Sequence, residues 1–480
     1  MSPALAPLPA SADPAGTIAP MHSPSDLARL FDGRLHGSGD PAAPLNGLAT
    51  DSREVVPGGG FVALRGESED GHRYVGAAAA AGASLAVVDE NWVAPRGTQV
   101  PPILLRVPDT AAALRAACET RLRELDCHVI GITGSVGKTT GKELIAHVLF
   151  GSVRVAKTPG NLNTWTGIPL SVLELRPPVH VFVCEMAMSA PGEIRDLCSF
   201  THPRTGVLLN VGESHIELLG SQEAIADAKA ELLDALPENG TAVLNADDEL
   251  VRGVSSRSRA PILWFGLQSP DAQFRATDIV SRGIDGTTFT LVGPSSSAPV
   301  RMRVPGAHLV VDAVAAAAVA GQLGVSVAEV ATRLGSFEAP PQRGRIHMGV
   351  GGARIYDDSY NSSPSSLAAA LETLGATAAR RRIAVLGDML ELGSHTQMAH
   401  RQAGRQARET ATTLIAVGHE ANRTVAAALA AGMDPAEAFA ARNVDEAIVL
   451  ARARCDADTA VLVKASHGMH LERVVEALRR

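Results

Sequence analysis

The sequence predicts an α/β fold in three domains: a small mixed α/β N-terminal domain, a central P-loop parallel-sheet domain, and a C-terminal Rossmann-like α/β domain. Three observations carry this. Short apolar or β-branched runs alternate with helix-length segments from about residue 128 onward, the pattern of parallel strands covered by helices. A glycine-rich stretch, Gly131-Ile132-Thr133-Gly134-Ser135-Val136-Gly137-Lys138-Thr139-Thr140, sits between one such run and a helical pattern. Proline-marked breaks at Pro108-Asp109 and Pro340-Pro341 divide the 480 residues, in line with a prior of one domain per ~150 residues.

Taken in order, residues 1–23 are rich in Pro, Ala and Ser and lack a basic start followed by an apolar stretch, so they predict a disordered tail and no signal peptide. Residues 24–108 form the first domain, with a short helix around Leu27, Leu30 and Phe31, strands at Gly60–Leu64, Ser84–Val88 and Ile103–Val107, and an Ala-rich helix over Tyr74–Ala81. Asp109 and Thr110 open a helix to about Leu125 and begin the central domain, 109–338. Its strands are His128–Thr133, Val179–Met186, Gly206–Val211 and Thr241–Asn245, followed by a polar segment over Ala260–Arg303 that reads as an antiparallel extension and an Ala-rich helix over Ala313–Leu323. Residues 339–480 form the last domain, with strands at Ala353–Tyr356, Ile383–Leu386, Leu414–Val417 and Ala460–Val463.

Composition narrows the function. A net charge of -8 argues against a broad nucleic-acid face, which needs cations to neutralise phosphates, though a local basic pocket is compatible with it. The five cysteines are scattered, without a CxxC pair or Cys/His cluster, so neither a disulfide framework nor a structural zinc is expected. No apolar run approaches the ~20 residues that span a bilayer. A reducing, ATP-rich cytoplasm is the expected location.

The chemistry begins at the glycine-rich stretch. Backbone N–H groups of Gly134, Ser135, Val136 and Gly137 can curl around phosphate oxygens, the helix that follows adds a favourable dipole, and Lys138 supplies a cation. Thr139 and Thr140 follow it, and the Thr139 hydroxyl can reach a magnesium ion. The strict consensus has Gly where this chain has Ile132, so this is a variant phosphate loop. Glu185 closes an apolar run and so lies at a strand's C-terminal edge, where open α/β sheets place ligands; it suits a magnesium ligand or a solvated strand-end carboxylate. Asn210 and His215 follow the next strand and reach the same rim, and a lone histidine is as readily structural as a ligand. Lys229 falls in the helical stretch Ala224–Leu236, and nothing in composition selects it.

Together, Thr133–Thr140, Glu185-Met186, Asn210-Val211-Gly212-Glu213-Ser214-His215 and Ala228-Lys229-Ala230-Glu231 resemble, in order and spacing, the central domain of the Mur ligase family. Asp51-Ser52-Arg53, Phe61-Val62-Ala63-Leu64 and Asp70-Gly71-His72 are similar to its uridine-nucleotide domain. Asp357-Asp358-Ser359-Tyr360-Asn361 with Pro364, and Leu386-Gly387-Asp388-Met389-Leu390-Glu391-Leu392-Gly393, resemble the last-acting member. The resemblance covers roughly residues 25–480. It implies an ATP-dependent ligase that activates the terminal carboxylate of a UDP-N-acetylmuramoyl-tripeptide as an acyl phosphate and joins it to D-alanyl-D-alanine.

The resemblance also implies roles. Thr139 and Glu185 match a first magnesium site; His215 and Lys229, the latter as a carbamate, match a second. Thr50, Asp51, Ser52 and Arg53 would hold the uridine nucleotide, and Asn161, Asn163, Tyr360 and Asn361 the rest of the substrate. Asp312, Arg345 and Asp358 would join the phosphate loop around ATP, with Asp358 on the ribose. Monomeric action is expected.

The chain departs from the family pattern at Thr164-Trp165-Thr166, where Asn-Glu-Ile is common. It departs again at Asp312, where Asn is usual, and at Lys464-Ala465-Ser466-His467, where Lys-Gly-Ser-Arg is usual. The runner-up is the relative that adds the third stem residue, but no Asp-Asn-Pro-Arg motif is present. A folate polyglutamate ligase would lack residues 24–108 as a uridine-nucleotide domain, a nucleoside-triphosphate switch would need the phosphate loop but neither that domain nor a carbamylated lysine, and a kinase would give a stable phosphorylated product rather than an amide.

Overall fold

The computed structural model describes residues 22–66, 69–212 and 219–479. The expected tail, apart from its last two residues, and the candidate ligand His215 lie outside them. Three sheets organise the chain, and helices cover them on both faces, as the alternating pattern requires.

The first sheet has five strands in the order Arg34–Gly37, Ile103–Val107, Leu85–Asp89, Gly60–Val62 and Leu48–Ala49, with only the first pair antiparallel. Leu27 and Leu30 of a helix at Pro24–Leu30, with Phe31 just past its end, pack on one face with Leu85 and Leu105. The helix Thr110–Leu125 starts where its cap dictates, because the Asp109 carboxylate accepts from the Ala112 N–H at 2.7 Å. Its Ala113, Leu114 and Ala117 join the first sheet's core, while Cys118 and Leu122 join the central one.

The central sheet has nine strands. Val155–Lys157, Val181–Glu185, His128–Thr133, Thr205–Leu208, Thr241–Asn245, Ile262–Gly266 and Phe274–Ser281 run parallel in that spatial order, and Thr287–Val292 and Ser297–Met302 continue it antiparallel. His128–Thr133 comes first in sequence but lies between its later neighbours Val181–Glu185 and Thr205–Leu208. The strand order therefore reverses at its C-terminal end, where a crevice opens for ligand.

Three details differ from the sequence reading. The segment Ala260–Arg303 is antiparallel only in its last two strands. The strand expected at Gly206–Val211 ends at Leu208, because the next backbone groups are claimed by side chains: Asn245 Nδ2 donates to the Leu209 carbonyl at 2.9 Å and the Val211 N–H donates to Asp248 at 2.8 Å. The Ala-rich helix runs over Leu309–Gln322, beginning four residues earlier than expected. It is buried from Leu309 to Ala320 with only Val311 partly open, so it carries no polar face to mark its start.

The third sheet has six strands, with Arg345–Met348 antiparallel at one edge and Arg354–Asp357, Thr459–Lys464, Arg381–Leu386, Thr413–Val417 and Ala438–Ala441 parallel. Among the described residues no helix is long and apolar enough to cross a membrane.

Candidate active site

The phosphate loop turns between the end of His128–Thr133 and the helix Lys138–Leu149. Gly137 sits at φ 84°, a left-handed turn that favours glycine, and a Cβ there would meet both Asp312 carboxyl oxygens at 2.8 Å. Asn210 holds the loop from the next strand. Its Oδ1 accepts from the Val136 N–H and its Nδ2 donates to the Val136 carbonyl, each at 3.0 Å. Asn210 thus spends both ends of its amide on the loop itself, a clamp rather than a group reaching toward ligand. Lys138 is curled onto its own loop, donating to the Gly134 carbonyl at 2.8 Å. Burial pulls its amine below the ordinary lysine value, with Glu185 opposing and Arg343 reinforcing the shift.

Beside the loop lies a buried polar knot. Glu185 Oε1 accepts from the Thr139 hydroxyl at 3.1 Å and from Asn163 Nδ2 at 2.9 Å. Its Oε2 is 3.2 Å from the ammonium of Lys142, an ion pair off the line of a directed hydrogen bond, so that oxygen is left with unmet accepting capacity. Lys142 also donates to the Gly160 carbonyl at 2.8 Å and is wholly enclosed. The ammonium therefore ties the carboxylate to the loop that carries Asn161 and Asn163. Lys142 was not singled out from the sequence, although it lies four residues after Lys138, one turn on along the same helix face.

Opposite, the third sheet supplies the other wall. A cavity of about 560 Å³ is bounded by the phosphate loop, Glu185, Asn161, Asn163 and Asp312 on one side and by Arg343, Asp358, Tyr360, Asn361 and Lys464 on the other. Lys464 is buried and ties Asp358 to the Asn361 carbonyl. The Arg343 guanidinium lies 3.8 Å from the centre of the Tyr360 ring, whose other neighbour is the His467 ring at 5.2 Å. A second cavity of about 640 Å³ adjoins through Ser135, Val136, Lys138, Tyr360 and Asn361 and extends to Glu391 and His467. The arrangement can hold a polyanion at the loop with a reacting partner entering from the neighbouring cavity.

Family models for the Mur ligase family catalytic domain, middle domain and glutamate ligase domain match residues 44–121, 132–320 and 342–467. A UDP-N-acetylmuramoyl-tripeptide–D-alanyl-D-alanine ligase of Synechocystis is 35% identical, covering 90% of this chain and 92% of the relative. This chain belongs to the Mur ligase family. MurF from Acinetobacter baumannii superposes with a TM-score of 0.85 at 28% identity, over 96% of this chain and all of that one. MurF from Thermotoga maritima, solved in complex with ADP, gives 0.76 at 28% identity over 90% and 97%. This Mur ligase is an ATP-dependent peptide ligase.

The remaining expected site residues of this Mur ligase are placed unevenly. Lys229, on the helix Gln222–Asp234, is 2% exposed and has no hydrogen-bond or ion-pair partner among the described residues. Burial, reinforced by the charge of Lys138, lowers its amine well below the ordinary lysine value. Glu231, two residues on, is instead structural, accepting from the Gly192 and Arg195 N–H groups at 2.7 and 3.0 Å. Arg345 is not among the cleft residues: it faces Glu338 at 3.5 Å. Arg343 occupies the cleft in its place, because Gly344 at φ 90° turns the chain between them. Thr50, Asp51 and Ser52 sit half-buried in the loop after Leu48–Ala49, away from both cavities, and the exposed Arg53 is paired with Asp51. That guanidinium holds the Asp51 carboxyl down at about 2. Trp165 packs on the central core with the Arg115 guanidinium over its ring.

Proposed function

We propose that this Mur ligase joins D-alanyl-D-alanine to a UDP-N-acetylmuramoyl-tripeptide in the cytoplasm, with ATP as the activating co-substrate. The observation that carries the reading is the buried Thr139–Glu185–Asn163 knot beside the phosphate loop, facing Asp358, Tyr360 and Lys464 across one cleft. The likeness to relatives of that activity along nearly the whole chain supports it.

The chemistry follows from two anions that must meet. A carboxylate oxygen of the tripeptide attacks the γ-phosphorus of ATP, the bond to ADP breaks, and an acyl phosphate results. The amine nitrogen of D-alanyl-D-alanine then attacks the acyl carbon, the carbon–oxygen bond to phosphate breaks, and the nitrogen loses its proton as the amide forms. The loop N–H groups and Lys138 stabilise charge on the transferred phosphoryl group. Substrate carried by Thr50–Arg53 would enter past Asn161 and Asn163, and Tyr360 and Asn361 would line the acceptor side. The two walls of the cleft keep water from the acyl phosphate.

Oxygen donors beside the loop fit a magnesium ion: a hydroxyl, and a carboxylate whose Oε2 has capacity to spare. Thr139 and Glu185 would hold one ion, and His215 with carbamylated Lys229 a second. When bound, magnesium screens the repulsion between the two anions. Burial disfavours the charged form of the Lys229 amine; the neutral amine is the form that adds carbon dioxide, and the resulting anion would relieve the charge of Lys138.

The test is to offer ATP, UDP-N-acetylmuramoyl-tripeptide and D-alanyl-D-alanine and to weigh the product. The proposal expects the pentapeptide mass and phosphate release only with both peptide substrates present. Phosphate release on ATP alone, with no amide product, would refute it. Lys229→Ala should be inactive and partly restored by short-chain carboxylic acids.

A further inference from the structure

Asp312 is a buried carboxyl without a counter-charge among the described residues. Its side chain is 4% exposed, in the first turn of Leu309–Gln322, and its carboxyl oxygens lie against the Gly137 turn of the phosphate loop and line the nucleotide cleft. Among the described residues no hydrogen bond or ion pair reaches it.

Among the described residues the charged groups of the neighbouring elements are engaged elsewhere or face away, His308 excepted. On the loop helix, Lys138 is bonded to the Gly134 carbonyl, Lys142 to Glu185, Glu143 to Lys157, and His147 to the Arg333 carbonyl. Across the cleft, Arg343 lies on Tyr360, and Lys464 is paired with Asp358. On the far side of the helix, Arg333 bonds Ser152 and pairs with Glu329, and Arg275 and Asp278 are exposed. At the helix's own start His308 is exposed and lines the same cleft; desolvation by the surrounding protein lowers its imidazole, with Asp358 opposing and Lys464 reinforcing the shift.

An ionised carboxylate in that position would face a triphosphate across a few ångströms of low-dielectric space, and like charges so placed repel strongly. The neutral acid has the opposite effect, since its O–H is a donor and its carbonyl oxygen an acceptor, the pair of functions an amide offers.

We propose that Asp312 enters the nucleotide complex as the neutral carboxylic acid and acts there as a hydrogen-bond donor to ATP, so that nucleotide affinity is governed by one proton on this residue. The inference rests on the ATP reading of the cleft. Burial alone pushes the carboxyl up to about 8, which leaves the acid form dominant at neutral pH before any nucleotide is bound, and an arriving polyanion favours that form further. The sign follows: below that pH the proton is already in place and binding is strong, and above it each binding event must take up a proton. Affinity then falls with rising pH, approaching about tenfold per pH unit.

The experiment is ADP and ATP binding by calorimetry between pH 6.5 and 9.5, on the full chain and on Asp312→Asn, with thermal melting as a folding control. Asp312→Asn carries the amide's donor and acceptor at every pH. The proposal expects the wild-type dissociation constant to rise about tenfold from pH 7 to pH 9 relative to the variant, with the two alike at pH 7. The number of protons taken up on binding, read from buffers of different ionisation enthalpy, should differ by nearly one between the proteins at pH 9. Superimposable pH profiles, or an Asp312→Asn protein that melts normally and binds tenfold more weakly at pH 7, would overturn the proposal while leaving the ATP reading intact. Absence of nucleotide binding by both proteins at every pH would remove the ATP reading and this inference together.

Discussion

Replacing Lys142 by Met isolates the buried ion pair behind the phosphate loop. The substitution keeps most of the side-chain volume and removes one charge from a wholly enclosed position, leaving Glu185, itself 2% exposed, without its cation and the Gly160 carbonyl without its donor. Breaking a buried pair from one side costs about 3–5 kcal/mol, because the abandoned charge stays desolvated. For a cooperative unit of ~150–250 residues each kcal/mol lowers Tm by about 2–4 °C, so the transition should fall by about 6–20 °C. Calorimetry of the free protein measures it. The double variant Lys142→Met/Glu185→Gln removes both charges and should recover much of the loss, giving a coupling energy above ~1 kcal/mol. A Lys142→Met protein that melts within about 2 °C of wild type, or strictly additive single variants, would show that the pair does not hold the carboxylate.

Other consequences can be checked directly. Lys138→Ala should abolish ligation and leave UDP-tripeptide affinity unchanged, as measured by product mass and by calorimetry. Asn210→Ala removes two hydrogen bonds to Val136, worth about 0.5–1.5 kcal/mol each, and should weaken ADP binding by about 5- to 150-fold in titration. Gly137→Ala must place a methyl 2.8 Å from Asp312 at φ 84°; the left-handed conformation alone costs about 1–2 kcal/mol, so nucleotide affinity should drop at least about fivefold. Arg53→Ala touches an exposed side chain, so it should shift stability by less than ~0.5 kcal/mol while weakening UDP-tripeptide binding and sparing ADP.

Much of this architecture was legible because it rests on local rules. The strand–loop–helix around Lys138, the capped helix at Asp109, and Glu185 at a strand's edge all follow from spacing and residue type. What escaped is tertiary. Val155–Lys157 is a three-residue edge strand with a lysine in it, too short to show a period. Lys142 reads as one more helix lysine until Val181–Glu185 is laid beside its helix. Arg343 and Arg345 sit two apart, and only the turn at Gly344 decides which one enters the cleft. Asn210 sits on the expected rim, yet whether its amide meets ligand or the loop depends on how the Val136 backbone is presented. Asp312 was noticed for its departure from asparagine, but its isolation depends on every neighbouring cation being engaged elsewhere, which no linear pattern encodes.

The central claim is that the phosphoryl group passes from ATP to the peptide acid before the amide forms. Tripeptide substrate carrying ¹⁸O in its terminal carboxylate tests it most directly, with the released phosphate analysed by mass spectrometry. One ¹⁸O atom per phosphate is the predicted result, because the oxygen that attacks phosphorus leaves with it. Phosphate free of ¹⁸O, released alongside amide product, would contradict the account.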